Sequence, residues 1–407
     1  LNQTLVLLTE KFPYEGGEVF LRAELPYLSN QFQKIIIIPS VQGKKMELEL
    51  PPNVEVLPLP SPENNSLRYS LRNYGNIIFR IFATEFIFSP KRIKYLIQFK
   101  WNLYRLVGLL KEAEVLLKSL KTALSDEQTI VYSYWFNEQA SRAVLVKLMG
   151  YRFKLITRVH LYDFEEEFNG RGYLPFRYSE WKKVDGVLPI STYAHNYLSR
   201  QFGQDRRLKE VSRLGVSPTT SLNRGGTGSQ FTIVSCSILS WYKRPQLLVE
   251  IISKLEVPVK WVHFGGGALE PKFLEAAKKL PANIQFEYRG QVPNADVLSF
   301  YKENGVDLFI NVSEYEGIPY SMMEAIATGI PLVGCNVCGV PEIVTDQTGV
   351  LLPKEVEPET AAIKIVQFLK DKARDRDFRL GVQQFQQQFF NAEGNYKKFI
   401  ETNLLNS

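Results

Sequence analysis

Short runs of β-branched residues alternate with amphipathic stretches of helical length along this chain, and the alternation starts afresh past its middle. Runs at Leu5–Leu8, Ile35–Ile38, Val54–Leu57, Thr129–Tyr132, Lys154–Thr157 and Gly186–Ile190 read as strands. A second series follows at Phe231–Cys236, Val259–Phe264, Ile284–Tyr288 and Asp307–Val312. Helical stretches lie between them, at Glu18–Leu28, Thr192–Gln201, Pro245–Leu255, Glu270–Leu280 and Ala295–Glu303. Such alternation predicts an α/β fold with parallel sheets covered on both faces. Because the series occurs twice, it predicts two Rossmann-like domains, with ligands beyond the carboxyl ends of the strands and an active site in the cleft between them. Ser217–Gln230, rich in Gly, Ser and Thr, reads as the linker.

The 407 residues suit two domains with cores large enough to need no disulfide or metal staple. Of three cysteines, Cys335 and Cys338 form one C-x-x-C, while Cys236 lies far off in sequence. A structural zinc site needs two more ligands at similar spacing, so the cysteines read as small buried hydrophobes in a reducing compartment, and no metal site is expected. Asp375-Arg376-Asp377 is flanked by basic residues and reads as a solvated helix face. The net charge of +6 favours anionic ligands or surfaces over a dedicated role in nucleic-acid binding. The start of the sequence lacks a signal-peptide pattern, and no apolar run reaches the roughly 18 residues of a membrane span. The expected location is cytoplasmic.

The most informative segment is Asp307–Val344. A buried strand is followed by a loop with Glu316 and Gly317, then by a helix opening on Pro319, carrying Glu324 and closing at Gly329. Proline suits a first helical position and glycine a left-handed cap. A strand, a glycine-bearing loop and a free helix N-terminus make an anion site. Two carboxylates bracket it, as though a phosphorylated ligand carried hydroxyls on either side.

Glu316–Glu324, E-G-I-P-Y-S-M-M-E, resembles the E-x7-E motif of retaining glycosyltransferases of the GT-B fold, family 4 type (glycosyl transferases group 1), of the bacterial surface-polysaccharide kind. The continuation also matches, through Gly329, Pro331, the Gly339-Val340-Pro341-Glu342 turn and Gly349. Gly16-Gly17, His160 with Asp163, Leu214-Gly215-Val216, Lys243 and Gly265–Gly267 follow in the family's order. The resemblance implies a GT-B fold whose sheets face each other across a cleft. It implies an acceptor-side domain over 1–217 with a basic aromatic helical insert at 67–121, a nucleotide-sugar domain over 218–380, and a helix over 381–407 crossing back to the first domain.

By the same resemblance, Glu324 holds the ribose, Glu316 the donor sugar's hydroxyls, and Lys243 the diphosphate. The backbone around Gly317, Ile318, Pro319 and Tyr320 faces sugar and phosphates, Gly16 and Gly17 approach from the other domain, and His160 lies near the transferred sugar. The chain departs from the family at Ser237 and Ile238, where a glycine-arginine pair is usual, which leaves Arg244 as the candidate replacement cation. The implied activity is metal-independent and cofactor-free. It transfers a sugar from a UDP- or GDP-sugar to a glycan or lipid-linked acceptor. The alternatives are a GT-B-like epimerase or a catalytically silent binding protein. His195 and His263 read as structural, and no dinucleotide fingerprint is present because Glu270 stands where the third glycine belongs.

From Leu67 to Lys111, nine basic residues and ten aromatic ones accompany the single acid Glu85. The stretch reads equally as core helices with a solvated basic face or as a surface lying on the anionic inner leaflet.

Overall fold

A computed structural model describes residues 3–46, 48–60, 67–121, 129–168 and 172–405. The chain forms two units. One comprises Leu1–Ile190, Ala194–Ser212 and Tyr396–Ser407; the other comprises Ser191–Tyr193 and Arg213–Asn395.

The N-terminal unit runs β1 (Thr4–Thr9), α1 (Leu21–Ser29), β2 (Lys34–Pro39), β3 (Val54–Val56), α2 (Leu67–Phe88), α3 (Arg92–Ile97), α4 (Phe99–Leu120), β4 (Ile130–Ser133), α5 (Glu138–Leu148), β5 (Lys154–Val159), α6 (Leu161–Phe164), α7 (Arg177–Trp181) and β6 (Gly186–Pro189). Helix α8 (Thr192–Phe202) follows across the unit boundary. The strands pair in the order β3-β2-β1-β4-β5-β6, all parallel. Leu5 lies opposite Ile35 on one side and Ile130 on the other. The strand residues from Leu5 to Leu8 and Ile35 to Ile38 are buried, which is why they read as unbroken apolar runs.

The C-terminal unit runs β7 (Phe231–Cys236), α9 (Pro245–Ser253), β8 (Val259–Phe264), α10 (Glu270–Ala277), β9 (Ile284–Gly290), α11 (Asn294–Glu303), β10 (Leu308–Asn311), α12 (Tyr320–Ala327), β11 (Leu332–Cys335), β12 (Gly349–Leu352), α13 (Pro358–Asp371) and α14 (Arg376–Phe389). Its sheet order is β12-β11-β10-β7-β8-β9, again parallel. Counted within each unit, both sheets have the order 3-2-1-4-5-6 of a doubly wound fold. Asp375 accepts from the Phe378 N–H at 2.7 Å and caps α14, so one carboxylate of the D-x-D triplet serves the helix start.

Ser217–Gln230 is not a free linker. The Asn223 side chain donates to Tyr301 O (2.6 Å) and Asn304 O (2.8 Å), and the buried Arg379 guanidinium donates to the carbonyls of Asn223, Val306 and Ala373. Asp307 accepts from the Gly226 and Thr232 N–H groups and from Arg374. A segment with few apolar residues is thus held by polar groups that lie far away in sequence.

Helix α15 (Ala392–Phe399) carries the chain back to the N-terminal unit, where a π-helical turn, Ile400–Leu405, ends the described residues. Phe399, Ile400 and Leu404 join the core of Leu5, Ile35 and Tyr132. Beneath them the fully buried Arg158 meets Glu24 at 3.3 Å, donates to the Tyr132 hydroxyl at 2.8 Å and lies over the Phe399 ring. No described helix is long and apolar enough to cross a membrane.

Candidate functional site

In each sheet the strand order reverses beside the first strand, at β1/β4 and at β7/β10. Loops leaving the carboxyl ends of those strands are where a doubly wound fold places its ligands.

In the C-terminal unit, β7 leads through Ser237 and Ile238 to a single turn at Trp241–Lys243. Arg244 then adopts the left-handed conformation (φ 48°), which turns the chain into α9 at Pro245. From β10, the chain passes Asn311, whose side chain accepts from both the Ser313 N–H and hydroxyl, and reaches Glu316. Lys243 Nζ donates to Glu316 Oε2, and both side chains are mostly buried. The structure therefore brings these two candidates together although 73 positions separate them.

Arg244 is placed otherwise. Its guanidinium donates to the carbonyls of Val312 (2.6 Å), Ser313 (3.2 Å) and Lys354 (3.0 Å). It braces the loop after β10, and its donors are turned to carbonyls rather than toward the Lys243–Glu316 pair.

Pro319 stands at the N-cap of α12, one position before the first helical residue expected of it, with φ −64° and ψ 123°. Tyr320 opens the helix. The N–H groups of Gly317, Ile318 and Ser321 have no protein acceptor among the described residues. This leaves a set of donors beside the ion pair. The loop is supported from below by Gly339, whose N–H donates to Glu316 O at 3.2 Å. A Cβ on Gly339 would lie 2.5 Å from Gly317 O, so only glycine allows this approach. Glu342 of the same turn accepts from the Tyr193 N–H and from Arg213. The Gly265 turn packs against Ser237, where a Cβ would meet the carbonyl oxygen at 2.1 Å. That turn shapes the loop that lacks the family's usual arginine.

Glu324, on α12, is buried and accepts from Asn294 Nδ2 at 2.8 Å. Burial pushes its carboxyl up to about 7, against the lowering effect of Asn294. The same burial, then the nearby Glu324, pushes the Cys236 thiol up to about 12, which suits an inert cysteine. His263 is buried, with Nδ1 2.8 Å from the Ser235 hydroxyl, as a structural histidine would be.

In the N-terminal unit, the loop after β1 closes on Glu18, which sequence reading took only as a helix start. Its carboxylate accepts from the backbone N–H groups of Glu10 (2.5 Å), Lys11 (3.1 Å) and Phe12 (2.8 Å) and from the Trp135 indole (2.9 Å). Helix α1 itself starts three residues later, at Leu21. Gly16 has φ 70°, and a Cβ on Gly17 would lie 2.7 Å from Phe12 N, so the glycine pair lets the loop fold over the carboxylate. The only sequence signal for this role was adjacency to the glycines; the Trp135 partner lies 117 positions away.

His160 follows β5 and caps α6, its backbone N–H donating to Asp163 Oδ2 at 2.9 Å. Its ring lies among Trp135, Tyr134 and Phe20, with centroids 4.3, 4.9 and 6.0 Å away. Burial, then the charge of Arg158, holds the imidazole down at about 3. His160 is therefore neutral at physiological pH. Burial raises Asp163 to about 7. Gly16, Gly17, Glu18 and His160 thus belong to one unit, and Lys243, Glu316, Gly317, Pro319, Tyr320 and Glu324 to the other. Among the described residues no group of three or more His, Cys, Asp or Glu is placed to hold a metal.

Comparison with known proteins agrees with this geometry. Residues 223–384 match the model of the glycosyl transferases group 1 family. The chain is 28% identical over 222 residues to Escherichia coli (strain K12) WcaL, a protein named for a glycosyltransferase of colanic acid biosynthesis. That match covers 52% of this chain and 54% of WcaL, so the chain spans about half the length of such relatives. Solved structures match over nearly the whole chain, among them the following two. The lipopolysaccharide outer core galactosyltransferase WaaB has a TM-score of 0.69 at 13% identity, covering 98% of this chain and 99% of its own. Anabaena HepE, solved with UDP and glucose, has a TM-score of 0.67 at 15% identity and covers 99% of both chains. Residues 223–384 are therefore a glycosyl transferases group 1 domain, in a chain whose two six-stranded parallel sheets have the GT-B fold.

Proposed function

We propose that this protein is a retaining, metal-independent glycosyltransferase of surface-polysaccharide synthesis. It moves a sugar from a UDP- or GDP-sugar to a glycan or lipid-linked acceptor. The observation that carries the reading is the Lys243–Glu316 pair, set at the carboxyl ends of β7 and β10 beside the N–H groups of Gly317, Ile318 and Ser321.

Lys243 and Glu316 hold each other in place. A nucleotide sugar separates them: the ammonium turns to the diphosphate, and the carboxylate accepts from hydroxyls of the donor sugar. Glu324, buried and near-neutral, meets the ribose hydroxyls. In the transfer, the bond from the anomeric carbon to the diphosphate oxygen breaks, and the electron pair leaves with that oxygen. The acceptor hydroxyl bonds to the same face of the carbon, and its proton passes to the leaving phosphate. Fixed cations and backbone N–H groups stabilise the charge that develops, without rearranging at the moment of reaction. Arg244 positions the loop by bracing Val312 and Ser313. The N-terminal unit takes the acceptor, with neutral His160 and the Gly16–Gly17 loop as its candidate contacts. The acceptor is met at the cytoplasmic face of a membrane, in loose peripheral contact.

HepE was solved with UDP and glucose, and WcaL is named for colanic acid biosynthesis; both support this class of donor and product. The test is product analysis with UDP- and GDP-sugars and a glycan or lipid-linked acceptor. The expected product keeps the donor's anomeric configuration by NMR, and its rate is unchanged by EDTA. An inverted product would refute retention. Isomerised nucleotide sugar formed without acceptor would replace transfer by epimerisation.

A further inference from the structure

The helical insert of the N-terminal unit exposes large apolar side chains in one corner. Phe79 in the middle of α2 is 71% exposed, Ile87 near its end is 64% exposed, and Ile93 and Ile97 on α3 are 70% and 79% exposed. The corner is a folded one. Phe82, on the inner side of α2, packs against Tyr95 of α3 and Phe99 of α4. Apolar exposure of this kind marks an interaction surface.

Along the insert itself the exposed charges have one sign. Glu85 is the only acid between Leu67 and Lys111, and it is buried, accepting from the Ser179 N–H at 2.8 Å. That stretch therefore presents no exposed carboxylate. Lys91 and Arg105 are paired with Glu166 and Glu138, but Arg80, Arg92, Lys94 and Lys100 make no ion pair among the described residues.

A basic pocket adjoins the corner. A cavity of about 290 Å³ is lined by Lys182, Val184, Asp185, Arg206, Arg207 and Lys209. Its acid is already taken, since Asp185 pairs with Lys147 at 2.6 Å, and Arg207 is held by Asp205 at 2.9 Å. Lys182, Arg206 and Lys209 make no ion pair among the described residues. Lys182 joins the two features, because its ammonium sits 3.2 Å from the centre of the Phe88 ring at the end of α2.

We infer that this corner and pocket dock the N-terminal unit onto an anionic bilayer, with Phe79, Ile87, Ile93 and Ile97 entering the acyl boundary and Lys182, Arg206 and Lys209 holding lipid phosphate. The inference rests on the peripheral contact proposed above and adds its surface and headgroup chemistry. An anionic bilayer is the occupant that answers both exposed apolar side chains and the cations beside them that have no ion pair among the described residues; a protein partner would need an apolar patch ringed with acids. Apolar insertion and basic attraction together give the two signals that stable peripheral binding needs.

The test is flotation of the full chain with phosphatidylcholine vesicles, with and without phosphatidylglycerol. Binding is expected only to the anionic vesicles, with weakening as salt is raised. Ile93→Asp/Ile97→Asp should abolish it, and Lys182→Gln/Arg206→Gln/Lys209→Gln should weaken it about tenfold or more. Nucleotide-sugar binding should persist in both variants and serves as the folding control. Variants that float like the wild type would overturn the inference while leaving peripheral contact standing. A wild type that ignores anionic vesicles, yet binds nucleotide sugar, would overturn both membrane statements and leave the transferase reading intact. Competition by soluble glycerol phosphate with no vesicle binding would reassign the pocket to free phosphates and overturn the lipid assignment.

Discussion

The two sheets share one strand order, yet the loops at their reversal points are made differently. In the C-terminal unit an ion pair, Lys243 with Glu316, stands beside backbone donors that have no protein acceptor among the described residues. In the N-terminal unit the glycine loop is folded shut over Glu18, and a neutral His160 is enclosed by Phe20, Tyr134 and Trp135. One switch point sets a lysine-glutamate pair beside backbone donors. The other has its charge committed to its own backbone and offers an aromatic, uncharged wall. Topology places the sites, and the loops decide their chemistry.

The comparison can be broken most sharply at Lys243. If its charge serves a departing diphosphate, Lys243→Ala should lower kcat by about a hundredfold to a thousandfold, as loss of one preorganised donor does. Steady-state kinetics checks it, and a variant within a few-fold of wild type would leave the ion pair merely structural.

On the N-terminal side the matching change should act on stability first. Glu18→Ala strands three backbone N–H groups and the Trp135 indole, for an expected loss of about 2–4 kcal/mol. Denaturant unfolding measures it, and an unchanged midpoint would show that the loop does not depend on the carboxylate.

Glu324 gives a pH-dependent contrast. Its carboxyl is raised from 4.5 to about 7, so the native state binds the proton more tightly than the unfolded chain. Its ionisation therefore removes stability as pH rises from about 4.5 to 7, and the loss is complete above that. Glu324→Gln should match wild type near pH 4 and exceed it at pH 8, by about 1–3 kcal/mol. The ribose contact proposed for it predicts the opposite trend in function, with weaker nucleotide-sugar binding despite greater stability. Thermal melts at the two pH values test the sign.

The smallest expected effect concerns His160. With its imidazole held at about 3, the pH–rate profile should show no histidine inflection between pH 5 and 8 that disappears in His160→Asn. Such an inflection would mean that His160 ionises in the working range.

Much of this was legible in the sequence because parallel strands buried on both faces leave apolar runs, as at Leu5–Leu8 and Ile35–Ile38. Strands β11 and β12 escaped notice because each is four residues long and glycine interrupts one and opens the other. The E-x7-E segment showed its loop and helix start because local chemistry, Gly317 and Pro319, writes them. Its neighbours were invisible for the converse reason. Asn294 reaches Glu324 across 30 positions, and Arg374 reaches Asp307 across 67. Arg244 looked like a spare cation beside Lys243, but its left-handed backbone turns the guanidinium toward carbonyls. No spacing rule in one sequence reports such a direction.

The most direct test of the central claim is calorimetric titration of UDP- and GDP-sugars into the wild type and into Lys243→Ala. The account expects saturable binding of at least one nucleotide sugar by the wild type and its loss or marked weakening in the variant. Equal affinity in both proteins, or no binding by the wild type, would contradict it.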